Sequence, residues 1–187
     1  MREEIIKTYE VLKQGGIIVY PTDTVWGIGC DATNSKAVSR IYKIKKRAET
    51  KSMIILLDQM EKLIQYVREV PDFAWDIITN WPNPITIIYP GAKNIAKNLI
   101  APDGSIGIRI VKDEFCQKVI SMLNKPIVST SANISGEGAP LTYRDIPESI
   151  LKSCDYIVNL NQQKIIQAKP STIIKFNEKG EFFVIRD

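Results

Sequence analysis

The chain has 187 residues, of which 44% are apolar and 25% charged, and its formal net charge is +4. This length can bury a real core, and this composition is that of a globular protein rather than a disordered or fibrous one. The chain contains no histidine, which excludes a Ser-His-Asp triad, a histidine-ligated metal and histidine as a general base.

The three cysteines are far apart and indicate neither a disulfide framework nor a cysteine-based zinc site. The N-terminal segment lacks the apolar core of a signal peptide. No apolar run reaches the roughly 18 residues that a membrane-spanning helix needs. We therefore expect a cytoplasmic protein without membrane contacts.

Apolar residues recur with the periods of helices and strands in alternation. Helical spacing predicts a first helix over residues 2–14, which Gly15-Gly16 ends, and Asn34 or Ser35 can cap a second. Further helices are predicted over residues 58–67, 71–80, 113–123 and 142–152. Strands are predicted over residues 17–20, 53–57, 85–89, 105–111, 127–130, 156–158, 171–176 and 182–186, with a hairpin turn at 177–180. This order predicts an α/β fold: a single domain over residues 1–187 on a twisted mixed sheet with flanking helices.

Two hydroxyl-rich segments each follow a predicted strand. Pro21-Thr22-Asp23-Thr24 can present side chains to a ligand, or its hydroxyls can satisfy their own backbone. Residues 129–136 carry small and hydroxyl side chains that would let backbone amides approach an anion, although such loops are also common on surfaces. Neither segment matches a dinucleotide fingerprint or a Walker loop.

Cations cluster after the second predicted helix. The cluster consists of Lys43, Lys45, Lys46, Arg47 and Lys51. It can bind a polyanion, or it can be a solvated helix end. Arg109 lies in an isoleucine-rich strand, where it must be paired, face a cleft or point to water.

Two residue types are assigned no ligand role. The three tryptophans are interpreted as packing residues rather than nucleobase stackers. Asp23, Asp31 and Asp103 could hold a metal, but their spacing is not diagnostic and no metal site is predicted.

Taken together, these segments resemble the YrdC family of threonylcarbamoyl-AMP synthases. The matching residues, in chain order, are Tyr20-Pro21-Thr22-Asp23-Thr24, Gly27-x-Gly29, Lys45-x-Arg47, Trp81-Pro82-x-Pro84-x-Thr86, Gly107-x-Arg109, Ser129-Thr130-Ser131-Ala132-Asn133-x-Ser135-Gly136 and Pro170-Ser171-Thr172. The resemblance spans nearly the whole chain and is closest to the short, single-domain bacterial-type form.

The resemblance implies a basic concave cleft and the conversion of L-threonine, bicarbonate and ATP to threonylcarbamoyl-AMP and pyrophosphate. It implies threonine-binding roles for Thr24, Arg109, Ser129 and Ser171. It implies ATP-binding roles for Lys45, Arg47, Lys51, Ser105, Ser131, Ala139 and Arg186. Mg²⁺ would arrive with ATP, no organic cofactor is implied, and no residue is assigned as acid, base or nucleophile.

The implied product serves the threonylcarbamoyl modification of tRNA, so tRNA and the proteins that transfer the group are implied as further partners. This chain departs from the family pattern at Trp26, which replaces tyrosine, and at Lys46 and Ala48, which replace glycine and proline around Arg47. Ser52 replaces a proline and Asn83 a glycine. Two alternatives stay open: a YrdC-like RNA- or nucleotide-binding protein without synthase activity, and a carbamoyl-adenylate-forming domain like that of hydrogenase-maturation proteins.

Overall fold

The computed structural model describes residues 1–49, 51, 53–163, 170–176 and 181–186. The helices are α1 Arg2–Lys13, α2 Ser35–Ile44, α3 Leu63–Tyr66, α4 Asp72–Asn80, α5 Glu114–Leu123 and α6 Glu148–Ser153. The strands are β1 Ile18–Tyr20, β2 Gly27–Gly29, β3 Ile54–Leu57, β4 Ile85–Tyr89, β5 Ile106–Ile110, β6 Ile127–Ser131, β7 Tyr156–Ile157, β8 Thr172–Phe176 and β9 Phe182–Arg186. The predicted turn at 177–180 lies outside the described residues.

The described strands form one mixed sheet in the order β7-β1-β2-β6-β3-β5-β4-β8-β9. The pairs β1–β7, β3–β5 and β4–β8 are parallel, and the other neighbouring pairs are antiparallel. The predicted α/β class and mixed sheet with flanking helices are therefore confirmed. This order brings β5 and β6 onto the two sides of β3, although they are distant from it in the sequence.

The two faces of the sheet differ in what covers them. One face packs its isoleucine and valine side chains into a large apolar cluster with α2 residues such as Val38 and Ile41. The other face packs against α1 and α5, where Leu12 and Phe115 join Leu56 in a second cluster. Because side chains alternate along a strand, residues next to those of the large cluster point to the second face. Arg109 and Ser129 are two of these residues.

Side-chain caps explain where two helices begin. Asn34 Oδ1 accepts hydrogen bonds from the amides of Lys36 and Ala37, and Asp113 Oδ1 accepts one from Cys116. These bonds satisfy amides that the first helical turn leaves unpaired, and they confirm both predicted helix starts.

Two predicted helices are shorter than expected. Asp58 caps no helix at 58–67, because its carboxylate binds Lys62 Nζ at 2.8 Å, and the segment forms a 3₁₀ turn followed by α3. The capping box of Thr142 and Asp145 is present, but it closes a 3₁₀ turn and α6 begins separately at Glu148. In both cases a local contact replaces a longer helix.

Strand β2 is missing from the predicted elements because two of its three residues are glycine, which disfavours strands. The packing of the neighbouring strands requires a glycine at position 29. A Cβ added at Gly29 would lie 2.3 Å from the carbonyl oxygen of Val128 on β6 and 2.9 Å from the Tyr20 ring. The close approach of three strands therefore sets the residue type.

Among the described residues, we find no helix with the length and apolarity to cross a bilayer.

Candidate active site

A cavity of about 350 Å³ lies on the sheet face that carries Arg109 and Ser129. Its walls come from the β1–β2 loop, the turn after α2, the strand β5, the strand β6 with the segment that follows it, and the ends of β8 and β9. It is lined by most of the site residues predicted from the sequence: Thr24, Arg47, Arg109, Ser129, Ser131, Ala139, Ser171 and Arg186. The fold thus gathers residues from six separate segments around one cavity.

Arg109 forms one wall of the cavity and is 3% exposed. Its Nη1 donates to Thr24 Oγ1 at 3.1 Å, and its Nη2 lies 3.2 Å from Asp23 Oδ1. The alternative that this side chain points to water is therefore wrong, because the β1–β2 loop covers it. The interpretation that it is paired and faces a cleft is confirmed.

The hydroxyls of the β1–β2 loop divide between the two roles considered for them. Thr22 Oγ1 donates to the carbonyl oxygen of Val25 at 2.8 Å and accepts from the amide of Thr24, so it satisfies local backbone groups. Thr24 Oγ1 lies 3.0 Å from Thr22 Oγ1 and receives the bond from Arg109. Both threonines line the cavity, and Thr24 is the one whose hydroxyl contacts Arg109.

Ser171 and Arg186 line the cavity together. Ser171 Oγ lies 2.8 Å from Thr86 Oγ1 on β4. Arg186 donates to the carbonyl oxygen of Ser171 through Nε at 3.2 Å and Nη2 at 2.8 Å. Burial, and then repulsion by Arg109, lowers the pKa of Arg186. A second guanidinium is therefore held next to Arg109 at the cavity.

Arg47 reaches the cavity from the turn that follows α2. Its Nε donates to the carbonyl oxygen of Lys51 at 2.7 Å. The preceding residue, Lys46, has a φ of 50°, which is a conformation that glycine adopts most easily. The turn therefore keeps a glycine-like shape although a lysine occupies that position.

Three predicted ATP-binding residues do not line the cavity: Lys45, Lys51 and Ser105. Lys45 is buried beneath the segment after β6 and donates to the carbonyl oxygens of Ser131 and Asn133. Ser105 donates to Asp103, which pairs with Lys175 at 2.6 Å. The nucleotide contacts of these three residues stay predictions.

The charge on the cavity wall is mainly positive. Three arginines line it, and Glu137 is the one carboxylate among its lining residues in the described part of the chain. We find no group of three or more carboxylates or cysteines there that could hold a metal. Asp31, one of the carboxylates considered as metal ligands, pairs with Lys125 instead. The wall thus suits an anionic ligand.

Sequence reasoning missed the role of Asp23 as the counter-charge of Arg109, since it had considered Asp23 as part of the ligand-presenting loop and as a possible metal ligand. A buried arginine requires a counter-charge, so the sequence indicated that Arg109 has an acidic partner. Because that partner lies 86 residues earlier in the chain, the sequence did not indicate which carboxylate it is. Glu137 was also missed, and no local pattern marks it. The tryptophans are packing residues as expected: Trp26 is fully buried and its ring centroid lies 5.5 Å from that of Tyr143.

Comparisons with known proteins identify the family of this chain. The Sua5/YciO/YrdC family model, whose description reads telomere recombination, matches residues 10–187. A threonylcarbamoyl-AMP synthase of Pseudoalteromonas translucida is 36% identical over 151 residues, which cover 79% of this chain and 81% of that protein.

Solved structures share the fold. Escherichia coli YciO superposes with a TM-score of 0.86 at 25% identity, covering 100% of this chain and 90% of that one. P. abyssi Sua5 in complex with L-threonine superposes with a TM-score of 0.88 at 26% identity over 97% of this chain. The match covers 53% of the Sua5 chain, so this chain spans about half of its length.

Proposed function

The chain belongs to the Sua5/YciO/YrdC family, which includes enzymes of the threonylcarbamoyl-AMP synthase type, and we propose that it converts L-threonine, bicarbonate and ATP to threonylcarbamoyl-AMP and pyrophosphate. The observation that carries this proposal is the cavity itself. It contains a buried, pre-paired Arg109 with hydroxyl groups, and Arg47 and Arg186 line the same cavity. An amino acid and a polyphosphate need these two kinds of surroundings.

The amino-acid end of the cavity is assigned to Thr24, Arg109, Ser129 and Ser171. A guanidinium binds a carboxylate through parallel hydrogen bonds, and hydroxyls can bind the polar groups of threonine. Arg109 is already oriented by Thr24 and Asp23, and its buried Nε has no partner among the described residues. A substrate carboxylate would supply an acceptor for this donor.

The nucleotide end is assigned to Arg47, Arg186, Ser131 and the backbone of Ala139, which line the cavity. The arginines would neutralise phosphate charge, and small side chains in the segment after β6 would allow close approach of the backbone. Mg²⁺ would enter as part of the substrate, on the ATP phosphates. Lys51 and Ser105 would contact ATP only if the nucleotide extends beyond the cavity.

The chemistry suits a chain without histidine. The threonine amine attacks the carbon of bicarbonate and releases water, which gives a carbamate. A carbamate oxygen then attacks the α-phosphorus, the bond to the bridging oxygen breaks, and pyrophosphate leaves. The protein's task is to position the reactants and neutralise charge, so no residue needs to form a covalent bond. The product would supply the threonylcarbamoyl modification of adenosine in tRNA through separate transfer proteins.

The direct test is to incubate the protein with MgATP, threonine and ¹³C-bicarbonate and to detect the adenylate by mass. We expect a labelled product that requires all three substrates. Arg109→Lys keeps the charge and should raise the KM for threonine more than that for ATP, whereas Arg47→Met should do the reverse. Equal effects on both substrates would contradict the assigned ends. Binding of ATP or RNA with no adenylate under any condition would overturn the synthase proposal.

A further inference from the structure

Lys45 is a buried lysine that follows α2 directly. It is 1% exposed, whereas Lys43, two residues earlier, is exposed. Its Nζ donates to the carbonyl oxygen of Asn133 at 2.6 Å and to that of Ser131. We find no carboxylate in an ion pair with Lys45 among the described residues. A buried cation is here stabilised by backbone dipoles.

The segment bound by Lys45 forms part of the cavity wall. Asn133 Nδ2 donates to the carbonyl oxygens of Ile134 and Glu137, and the amide of Ser135 donates to the backbone oxygen of Lys45 at 2.9 Å. Lys45 thus holds this segment at two points, through its side chain and through its backbone. Asn133 and Glu137 line the cavity from the same segment.

We propose that Lys45 is a positioning residue, which holds residues 131–139 in the shape that the nucleotide end of the cavity requires and does not itself contact the nucleotide. The role in nucleotide binding rests on the proposed function, while the role in holding the segment does not. An ammonium ion has three donors and no acceptor, so it can bind several carbonyl oxygens of one bend at once.

The ionisation of Lys45 is compatible with this role. Burial, and then repulsion by Arg47, lowers the pKa of Lys45 to about 8. The protonated form of the side chain is therefore the major one at pH 7 in the nucleotide-free protein. Removing the ammonium group would take this donor from the carbonyl oxygens of Asn133 and Ser131, of which that of Ser131 keeps a bond from the amide of Asn133. The loss would be costly at Asn133, since buried polar groups are costly when unpaired.

The first experiment needs no variant. The nucleotide-free protein is treated with an acetylating reagent specific for amines, and each lysine is quantified by mass spectrometry, with and without a non-hydrolysable ATP analogue. We expect Lys43 to be acetylated and Lys45 to resist acetylation in both states. Acetylation of Lys45 in the free protein, with protection by the analogue, would overturn the proposal and assign Lys45 to direct contact.

The second experiment compares Lys45→Met with Lys43→Met, which removes the same charge from an exposed site. Hydrogen exchange of the nucleotide-free protein over residues 131–139 should be faster by about tenfold or more in Lys45→Met, as expected for lost hydrogen bonds to a charged group, and unchanged in Lys43→Met. Unchanged exchange in Lys45→Met would overturn the proposal. This result is independent of ATP, so it is distinguishable from a failure of the proposed function.

Kinetics separate positioning from a general loss of structure. Lys45→Met should raise the KM for ATP by about tenfold and that for threonine by less than about twofold, because Thr24 and Arg109 are held by other contacts. Equal increases in both KM values would contradict a role confined to the nucleotide end. If Lys45→Met does not fold, the acetylation experiment alone decides.

Discussion

Replacing Arg109 by methionine tests how strongly the cavity wall depends on the buried ion pair. Methionine keeps an unbranched apolar stem but removes the charge. Arg109 is 3% exposed and the Asp23 side chain 13% exposed, with 3.2 Å between Nη2 and Oδ1. Removing one partner of a buried pair costs about 3–5 kcal/mol, because the other charge stays buried and uncompensated. Asp23 keeps a hydrogen bond from the amide of Lys112, so we expect about 3 kcal/mol.

The measurement is the free energy of unfolding from urea denaturation at pH 7. The matched control is Lys118→Met, which breaks the pair between Lys118 and Glu114 at 2.5 Å, whose side chains are 53% and 67% exposed. Surface pairs contribute little, so this variant should stay within about 0.5 kcal/mol of the parent. Because the control pair is the shorter of the two, the comparison separates the effect of burial from that of distance.

A double-mutant cycle completes the test. Asp23→Asn alone should also destabilise the protein, since it leaves the Arg109 charge unpaired. The double variant should lose at least about 1.5 kcal/mol less than the sum of the single losses, since neither charge remains. A loss below about 1 kcal/mol for Arg109→Met, or additivity within about 0.5 kcal/mol, would refute the reasoning.

Three further predictions concern backbone conformation and a surface pair. Lys46→Gly should raise the free energy of unfolding by about 0.5 kcal/mol. A φ of 50° costs a non-glycine residue about 1–2 kcal/mol, and the greater entropy of glycine in the unfolded chain offsets about 0.5–1 kcal/mol of this. A lower free energy of unfolding in urea denaturation would contradict this prediction. Gly29→Ala should lower the free energy of unfolding by about 3 kcal/mol, because the added Cβ would lie 2.3 Å from a β6 carbonyl oxygen. The control Gly138→Ala, with nothing within 4 Å of its added Cβ, should be near neutral. Equal melting temperatures for the two variants would contradict the steric explanation. Hydrogen bonds from Lys175 and Ser105 lower the pKa of Asp103 from 3.8 to about 2, so its carboxylate stabilises the protein above pH 3.8 and this effect is lost as the pH falls through 2. Asp103→Asn should therefore lower the free energy of unfolding by less than about 1 kcal/mol at pH 7, because the pair with Lys175 is half-exposed. The same loss at pH 2 would contradict the assigned pKa shift.

Local patterns were sufficient to predict most elements of the fold. The cap at Asn34 and the alternation over residues 105–111 depend on neighbouring residues, so the sequence contains the information. β2 was not predicted and the helix over 58–67 was predicted too long, for different reasons. Contacts with Tyr20 and Val128 override the low strand propensity of Gly29, while an ion pair with Lys62 removes Asp58 from the helix start.

The candidate site, like the fold, was predictable only in part. The residue types that could bind an anion were recognisable one by one, and eight of the predicted residues line a single cavity: Thr24, Arg47, Arg109, Ser129, Ser131, Ala139, Ser171 and Arg186. Their pairing was not recognisable, because it is set by the order of strands in the sheet. The Arg109 bond to Thr24 joins residues that are 85 positions apart, and the Lys45 bond to Ser131 joins residues that are 86 apart.

Arg109 and Lys45 show why a cation's role cannot be inferred from its neighbours in sequence. Both are buried, and each is stabilised by a different means: a carboxylate for Arg109 and two carbonyl oxygens for Lys45. The carboxylate of Asp23 offsets the charge of Arg109, whose buried Nε still lacks an acceptor among the described residues. Carbonyl dipoles only solvate the charge, so the positive field of Lys45 persists at the segment that it holds. An anion bound at that segment would therefore be stabilised by Lys45 without touching it, and the conformation of residues 131–139 would link the two.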